Sequence, residues 1–234
     1  MTHLFKIITV LLLVLLTACA SSPKIEEPVP DGINSETRER VQAWKTLIEK
    51  GSRWSDIQKL NSVNDFVNEV EFVDDIYHWK MEDYWATPLQ TLVTKAGDCE
   101  DLSIAKYFTL AAMGLDENKM RLTYVKALDI NKPHMVVSYF RHPTDEPLVL
   151  DNLNPEILPA SQRQDLLPVY SFNAKGLWLA KRENGGQYAG GVGRMSLWQQ
   201  LLSQMDVEAA NEKAMICLYQ YYDLSDEKAK TYCP

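Results

Sequence analysis

Three residues of this 234-residue chain have the types and spacing for nucleophilic catalysis: Cys99, His134 and Asp151. The surrounding pattern predicts that Cys99 begins a helix, His134 begins a strand and Asp151 ends the next strand. A thiol at a helix N-terminus faces unpaired N–H groups, which favours the thiolate. A histidine can take the thiol proton and pass it to a leaving amine, and a carboxylate can orient the imidazole. Together the three residues predict acyl-transfer chemistry.

Each of these residues also has an ordinary structural interpretation. A lone cysteine is more often a small buried hydrophobic residue, a strand histidine a satisfied polar group, and an aspartate before asparagine a turn residue. Only the joint order of helix, strand and strand makes the catalytic interpretation competitive. His78 and His142 rank below His134 as bases, because His78 lies in an aromatic stretch and His142 in a Pro-rich loop.

Carboxylates crowd the candidate nucleophile. Asp98, Glu100 and Asp101 surround one predicted helix start, where acidic residues are common in any case. Beside a thiol they should raise its pKa unless a cation neutralises them, and Ca²⁺ prefers clustered oxygen ligands. The cluster therefore favours a calcium site. The backbone N–H of Cys99 is expected to be one oxyanion donor, and residues 84–90 are a candidate source of a second.

The elements that must position these residues follow from caps and hydrophobic spacing. Helix starts are expected at Asn34, Ser55, Ser62, Thr87 and Cys99. Strands are expected at 121–128, 135–140, 148–150, 169–172 and 177–180, then a Gly-rich loop at 183–193 and helices at 196–205 and 208–222. This order predicts an α+β fold with the Cys99 helix packed on an antiparallel sheet.

The N-terminus has the pattern of a lipoprotein export signal. Residues 1–18 combine Lys6 with an apolar run too short to cross a bilayer. The Leu-Thr-Ala-Cys sequence at 16–19 resembles a lipobox with Cys19 as the lipidated residue, and Ala20 favours the outer membrane. An ordinary signal peptide is the alternative. Residues 19–33 are then expected to form a flexible tether, 34–205 the catalytic domain and 206–234 a C-terminal helical extension.

Composition limits the remaining possibilities. The hydrophobic content of 46% is that of a globular protein, and the net charge of −8 argues against a nucleic-acid partner. Cys217 and Cys233 remain once Cys19 and Cys99 have roles. A disulfide between them would contribute on the order of 3 kcal/mol, and two free thiols are the alternative.

Seven segments resemble the bacterial transglutaminase-like cysteine proteinases, and among these the LapG-type periplasmic proteases. They fall in order between Asn34 and Met205. The segments are Asp83–Pro88, Gly97–Asp101, Ala105–Phe108, Arg121–Lys126, His134–Val136, Leu148–Leu153 and Pro168–Asn173. The resemblance implies a papain-like or transglutaminase-like core and a triad of Cys99, His134 and Asp151. It also implies calcium ligands at Asp98 and Glu100.

The same resemblance implies a substrate and a regulator. The expected substrate is a large calcium-binding adhesin, cut near its N-terminus at a pair of alanines to release cells from a biofilm. The expected regulator is an inner-membrane cyclic di-GMP receptor of the LapD type. LapG-type proteases are usually soluble in the periplasm, so a lipid anchor at the outer membrane would be a departure. Two alternatives remain. One is a transamidase or peptidoglycan amidase, and the other is a non-catalytic lipoprotein that binds an adhesin or receptor.

Overall fold

The computed structural model describes residues 32–179 and 186–221. The predicted signal segment, Cys19, most of the tether and Cys233 lie outside these residues. The helices are α1 (Ser35–Gly51), α2 (Asp56–Val67), α3 (Asp75–His78), α4 (Pro88–Thr94), α5 (Cys99–Ala112) and α6 (Ser196–Gln220). The search for a helix long and apolar enough to span a membrane found none in the described residues.

Two sheets accompany the helices. The strands are β1 (Glu71–Phe72), β2 (Ala96–Gly97), β3 (Met120–Ala127), β4 (Lys132–Tyr139), β5 (Leu148–Leu150), β6 (Leu158–Pro159), β7 (Leu166–Asn173), β8 (Gly176–Leu179) and β9 (Gln187–Gly190). β1 and β2 form a small parallel pair, and the other seven form one antiparallel sheet in the order β6-β5-β4-β3-β7-β8-β9. The predicted α+β class is confirmed.

The core lies between α5 and the middle of the large sheet. Leu102 and Leu110 of α5 belong to one buried cluster with Leu122, Val137 and Phe172 of the central strands, and none of these is more than 2% exposed. Burying a side chain of this size stabilises a fold by about 1.5–3 kcal/mol. This packing fixes the first turn of α5 against β4, which positions the candidate nucleophile beside the candidate base.

Most of the predicted helix starts are observed as hydrogen-bonded N-caps. These are Asn34, Ser55 and Thr87. The predicted capping box at Ser62 and Asp65 is wrong, because both residues lie inside α2, whose capping box is formed by Ser55 and Gln58. A cap requires the change from extended to helical backbone, and that change has already occurred before Ser62. The predicted loop at 183–193 contains β9.

The last helix joins the C-terminal segment to the domain. α6 crosses the predicted boundary at residue 205 without interruption, and its non-helical residue is Asn211. The Gln220 side chain accepts from the Asn34 N–H at 2.8 Å and donates to the Gly32 carbonyl at 3.0 Å. A second buried cluster also connects the two ends of the described chain: Ile33, Val41, Leu89, Val93, Ile216 and Cys217.

Candidate active site

Three elements bring the predicted catalytic residues together at one end of strands β4 and β5. Cys99 is the first residue of α5, His134 is the third residue of β4, and Asp151 directly follows β5. β4 and β5 are antiparallel neighbours, with Val137 opposite Leu150. The end of β5 therefore lies beside the start of β4, which places Asp151 next to His134.

His134 and Asp151 form a buried hydrogen-bonded pair. His134 Nε2 lies 2.7 Å from Asp151 Oδ1, and the two residues are 3% and 1% exposed. Burial opposes ionisation of Asp151, but hydrogen bonds from His134 and Arg163 more than offset it and lower the pKa of Asp151 to about 2. An ionised carboxylate only accepts, so Nε2 carries the proton and Nδ1 remains as the basic nitrogen.

The start of α5 lies beside the strand that carries His134. The backbone N–H of Met135, the residue after His134, favours the Cys99 thiolate and acts to lower the pKa of the thiol, although larger effects raise it. One turn into α5, Ser103 Oγ donates to the Met135 carbonyl at 2.9 Å. Cys99 and His134 also line one cavity of about 690 Å³, with Tyr170 among its apolar walls. The thiol and the imidazole thus share a space large enough for a peptide segment.

The environment of Cys99 disfavours the thiolate. Burial raises the pKa of the thiol far above its ordinary value, and the charges of Glu100 and Asp98 raise it further. Cys99 Sγ donates to Glu100 Oε2 at 2.7 Å. The helix dipole is worth only about 0.3–1 kcal/mol at such a position, so the carboxylates outweigh it. The expectation that the helix N-terminus favours the Cys99 thiolate therefore does not hold unless a cation neutralises these carboxylates.

Two further carboxylates join those predicted from the sequence. Asp75 and Asp83 have oxygens within 4.8 Å of one another and of Glu100, and Asp75 forms a similar group with Asp98 and Asp101. Asp98 is also the N-cap of α5, where it accepts from the Glu100 N–H at 3.2 Å. The sequence analysis missed Asp75 and Asp83, although the acidic pairs at 74–75 and 82–83 were a visible signal.

Asp101 has a structural role in this cluster. It is fully buried, and its Oδ1 accepts from the Ala86 N–H at 2.7 Å. Its Oδ2 accepts from Trp79 Nε1 at 3.1 Å. Gly97 lets this carboxylate approach closely, because a Cβ at position 97 would lie 2.8 Å from Asp101 Oδ2. Asp101 therefore holds the loop that carries Asp83 against the start of α5.

The remaining carboxylates fit a cation. Asp75 Oδ2 accepts from the Tyr84 N–H at 2.5 Å, whereas its buried Oδ1 has no hydrogen-bond partner among the residues that the structure describes. Burial, with neighbouring carboxylates adding, raises the pKa of Asp75 to about 6 and that of Asp98 to about 10. An orphaned oxygen among mutually repelling carboxylates is costly alone and is the donor set that a hard divalent cation requires.

Other candidates from the sequence have structural roles. His78 Nε2 lies 3.1 Å from Thr94 Oγ1, and His142 lies in an exposed loop. Within the part of the chain that the structure describes, neither lines the cavity beside Cys99. In the 84–90 segment, four backbone N–H groups already donate to side chains of this chain, so they offer no free oxyanion donor: those of Tyr84, Ala86, Thr87 and Gln90.

The C-terminal cysteine that the structure describes is buried. Cys217 is 2% exposed on α6, and Cys233 lies outside the described residues. The pairing with Cys233 stays a prediction, as does lipidation of Cys19.

Comparison with known proteins supports a cysteine peptidase. The bacterial transglutaminase-like cysteine proteinase family, BTLCP, matches residues 34–181. Three structures of LapG from Legionella pneumophila are each 41% identical to this chain. The TM-score is 0.67 for the EGTA-treated form and 0.66 for the calcium-bound form and for the third structure. They cover 74% of this chain, which in turn covers 91–92% of them. No curated protein matches the chain. The chain belongs to the bacterial transglutaminase-like cysteine proteinase family.

Proposed function

We propose that this protein is a calcium-dependent cysteine endopeptidase with Cys99 as nucleophile, His134 as general base and then acid, and Asp151 as the group that orients His134. One observation carries the assignment: the buried 2.7 Å contact between His134 and Asp151, with His134 lining the same cavity as Cys99. The family supports a cysteine peptidase independently of that geometry.

The proposed reaction follows from the free nitrogen of His134. Nδ1 takes the Cys99 proton, which first requires the thiol to leave Glu100 Oε2. The thiolate attacks the scissile carbonyl, and the Cys99 N–H stabilises the resulting oxyanion. The C–N bond then breaks, and the imidazolium gives its proton to the leaving amine. A water molecule, deprotonated by His134, hydrolyses the acyl-enzyme and restores the thiol.

Calcium would be held by the carboxylates beside the nucleophile. Asp75, Asp83, Asp98 and Glu100 are the residues with oxygens that remain for it, since Asp101 already accepts two structural hydrogen bonds. When bound, the ion supplies positive charge that offsets the carboxylates which raise the pKa of Cys99. The calcium-bound form of Legionella pneumophila LapG supports this choice of ion.

We propose the substrate and location from the family resemblance. The substrate is the N-terminal region of a large adhesin, cut at a pair of alanines, so that cutting promotes biofilm dispersal. The protein would act in the periplasm from a lipid anchor at Cys19 in the outer membrane, and a LapD-type cyclic di-GMP receptor would sequester it. The cavity walls of Trp85, Tyr170 and Leu197 are compatible with small apolar side chains beside the scissile bond.

A cleavage assay tests this proposal. Residues 20–234 are incubated with the N-terminal fragment of a repeat adhesin from the same genome, with calcium or with EGTA. We expect cutting at the alanine pair with calcium only, and none by Cys99→Ala. A fragment with the alanine pair changed to aspartate is the matched substrate control. Amine incorporation without hydrolysis would indicate a transamidase. A Cys99 that reacts with iodoacetamide no faster than free cysteine, even with calcium, would favour a binding protein.

A further inference from the structure

The Asp151 carboxylate has a charged partner on the side away from His134. Asp151 Oδ2 accepts from Arg163 Nη2 at 2.6 Å. Oδ1, which contacts His134, also accepts from the backbone N–H groups of Asn152 and Leu153 at 2.7 and 3.0 Å. Donors on both oxygens leave the carboxylate no low-energy rotation about its Cβ–Cγ bond. The plane that orients His134 is therefore set partly by Arg163.

Arg163 is itself held in place. It is 3% exposed, and its Nε and Nη2 donate to the two Asp165 oxygens at 3.0 and 2.7 Å. The Asp165 carbonyl accepts from the Leu128 N–H at 2.7 Å, which connects this loop to the end of β3. One planar guanidinium thus bridges two carboxylates, an arrangement that the point charge of a lysine cannot reproduce. These contacts connect the position of Asp151, through Arg163 and Asp165, to the end of β3.

We propose that Arg163 is a positioning residue of the active site, which fixes Asp151 and through it the ring of His134. The inference rests on the proposed catalytic role of that pair. Without Arg163, Asp151 Oδ2 would be a buried carboxylate oxygen with no donor among the described residues. The carboxylate would then rotate towards another donor or take a proton, and either change loosens its hold on His134 Nε2.

Lys106 supplies charge but no replacement for this contact. It lies two turns after Cys99 on α5 and is 1% exposed, and its charge interacts favourably with Asp151. The charged or titratable groups that bear on Asp151 are therefore His134 from β4, Lys106 from α5 and Arg163 from its loop, with Asp165 behind Arg163. Burial lowers the pKa of Lys106 to about 7, against the opposing charge of Asp151, so Lys106 is only partly charged at neutral pH. Of these two basic residues, Arg163 is the one hydrogen-bonded to the carboxylate.

The test compares Arg163→Met with Arg163→Lys in calcium-saturated protein. We expect Arg163→Met to lower kcat by about 10- to 100-fold, the usual effect of losing a hydrogen bond to a charged group, with little change in KM. The acid limb of the pH profile should move to higher pH, because Asp151 loses one of the contacts that hold its pKa low. Arg163→Lys should restore the acid limb and only part of the rate.

Arg121→Met is the matched control for the loss of a buried arginine. Arg121 is 7% exposed on β3 and lies over the rings of Phe140 and Trp178, at 4.6 and 4.0 Å. Its loss should lower Tm and leave the pH profile unchanged. A folded Arg163→Met variant with wild-type kcat and acid limb, or one that matches Arg121→Met in both, would show that Arg163 is only structural.

A second readout separates this inference from the proposed peptidase activity. In Cys99→Ala protein, proton NMR follows the Nε2 proton of His134, which should exchange slowly with water while Asp151 holds it. Adding Arg163→Met should accelerate that exchange, whether or not any substrate is cut. If Arg163→Met does not fold, Asp165→Asn replaces it and should accelerate exchange less. Unchanged exchange in the folded variants would overturn the inference even if the peptidase assay succeeds.

Discussion

Replacing Asp75 by Asn should stabilise the protein without calcium and destabilise it with calcium. The buried Asp75 has a pKa raised from 3.8 to about 6, mainly by burial and then by neighbouring carboxylates. A carboxylate with a raised folded-state pKa costs no stability below pH 4, costs progressively more up to about pH 6, and costs the full amount at pH 7. Asparagine removes that charge, and its amide oxygen can still accept from the Tyr84 N–H.

The magnitude follows from that pKa. A rise from 3.8 to about 6 corresponds to about 3 kcal/mol at 1.36 kcal/mol per pH unit, with no solvent screening. Solvent screens part of the charge, so we expect a gain of about 1–2 kcal/mol in EGTA. For a domain of this size that raises Tm by about 2–8 °C. With calcium, the loss of an anionic ligand should weaken binding by at least about 10-fold, and Tm should fall below that of the wild type.

Thermal unfolding at pH 7 in EGTA and in calcium is the assay. The exposed Asp206 on α6 provides a control with the same change of charge, and Asp206→Asn should leave both values of Tm unchanged. A Tm of Asp75→Asn below that of the wild type in both conditions would refute the reasoning, because the carboxylate would then stabilise the fold without a cation. Repeating the EGTA series at pH 4 should abolish the gain, since Asp75 is then largely protonated.

Three further changes test other parts of the site. Gly97→Ala should destabilise by about 1–3 kcal/mol in urea unfolding, since its Cβ would lie 2.8 Å from Asp101; unchanged stability would contradict the close approach. Asp151→Asn should reduce peptide cleavage by orders of magnitude and also lower Tm, because it removes the charge that buried Arg163 contacts, and full activity would exclude its orienting role. Glu208→Ala removes acceptors for the Thr87 and Tyr219 hydroxyls, so it should lower the unfolding free energy by about 1–3 kcal/mol, and an unchanged urea midpoint would contradict this.

Local chemistry explains which parts of the fold could be predicted. Thr87 before Pro88 and Gly114 after α5 act over one turn, so they indicate helix ends directly, and Gly114 adopts a φ of +79°. The alternation of β3 and β4 also depends on neighbours in sequence. β9 was missed because its glycines resemble a loop, and only pairing with β8, a distant effect, makes it a strand.

The same limit applies to the candidate site. Cys99, His134 and Asp151 stood out because each has a type and position that suit one role. Asp75 and Asp83 carry no such local mark, and only the fold of the loop against α5 brings them to Glu100. Arg163 was also missed, because a single arginine after a short turn resembles any surface residue until the sheet buries it.

The hydrogen bonds between Gln220 and the Gly32–Asn34 segment have a consequence for the order of folding. The first helix is capped partly by one of the last described residues, 186 positions later in the chain. Closing such a loop has a large entropic cost, so this contact should form late. During synthesis α1 would be made early, and Val41 would stay exposed until α6 is synthesised and packs against it. Truncation within the last turn of α6 should therefore expose apolar side chains near the start of α1, among them Ile33 and Val41.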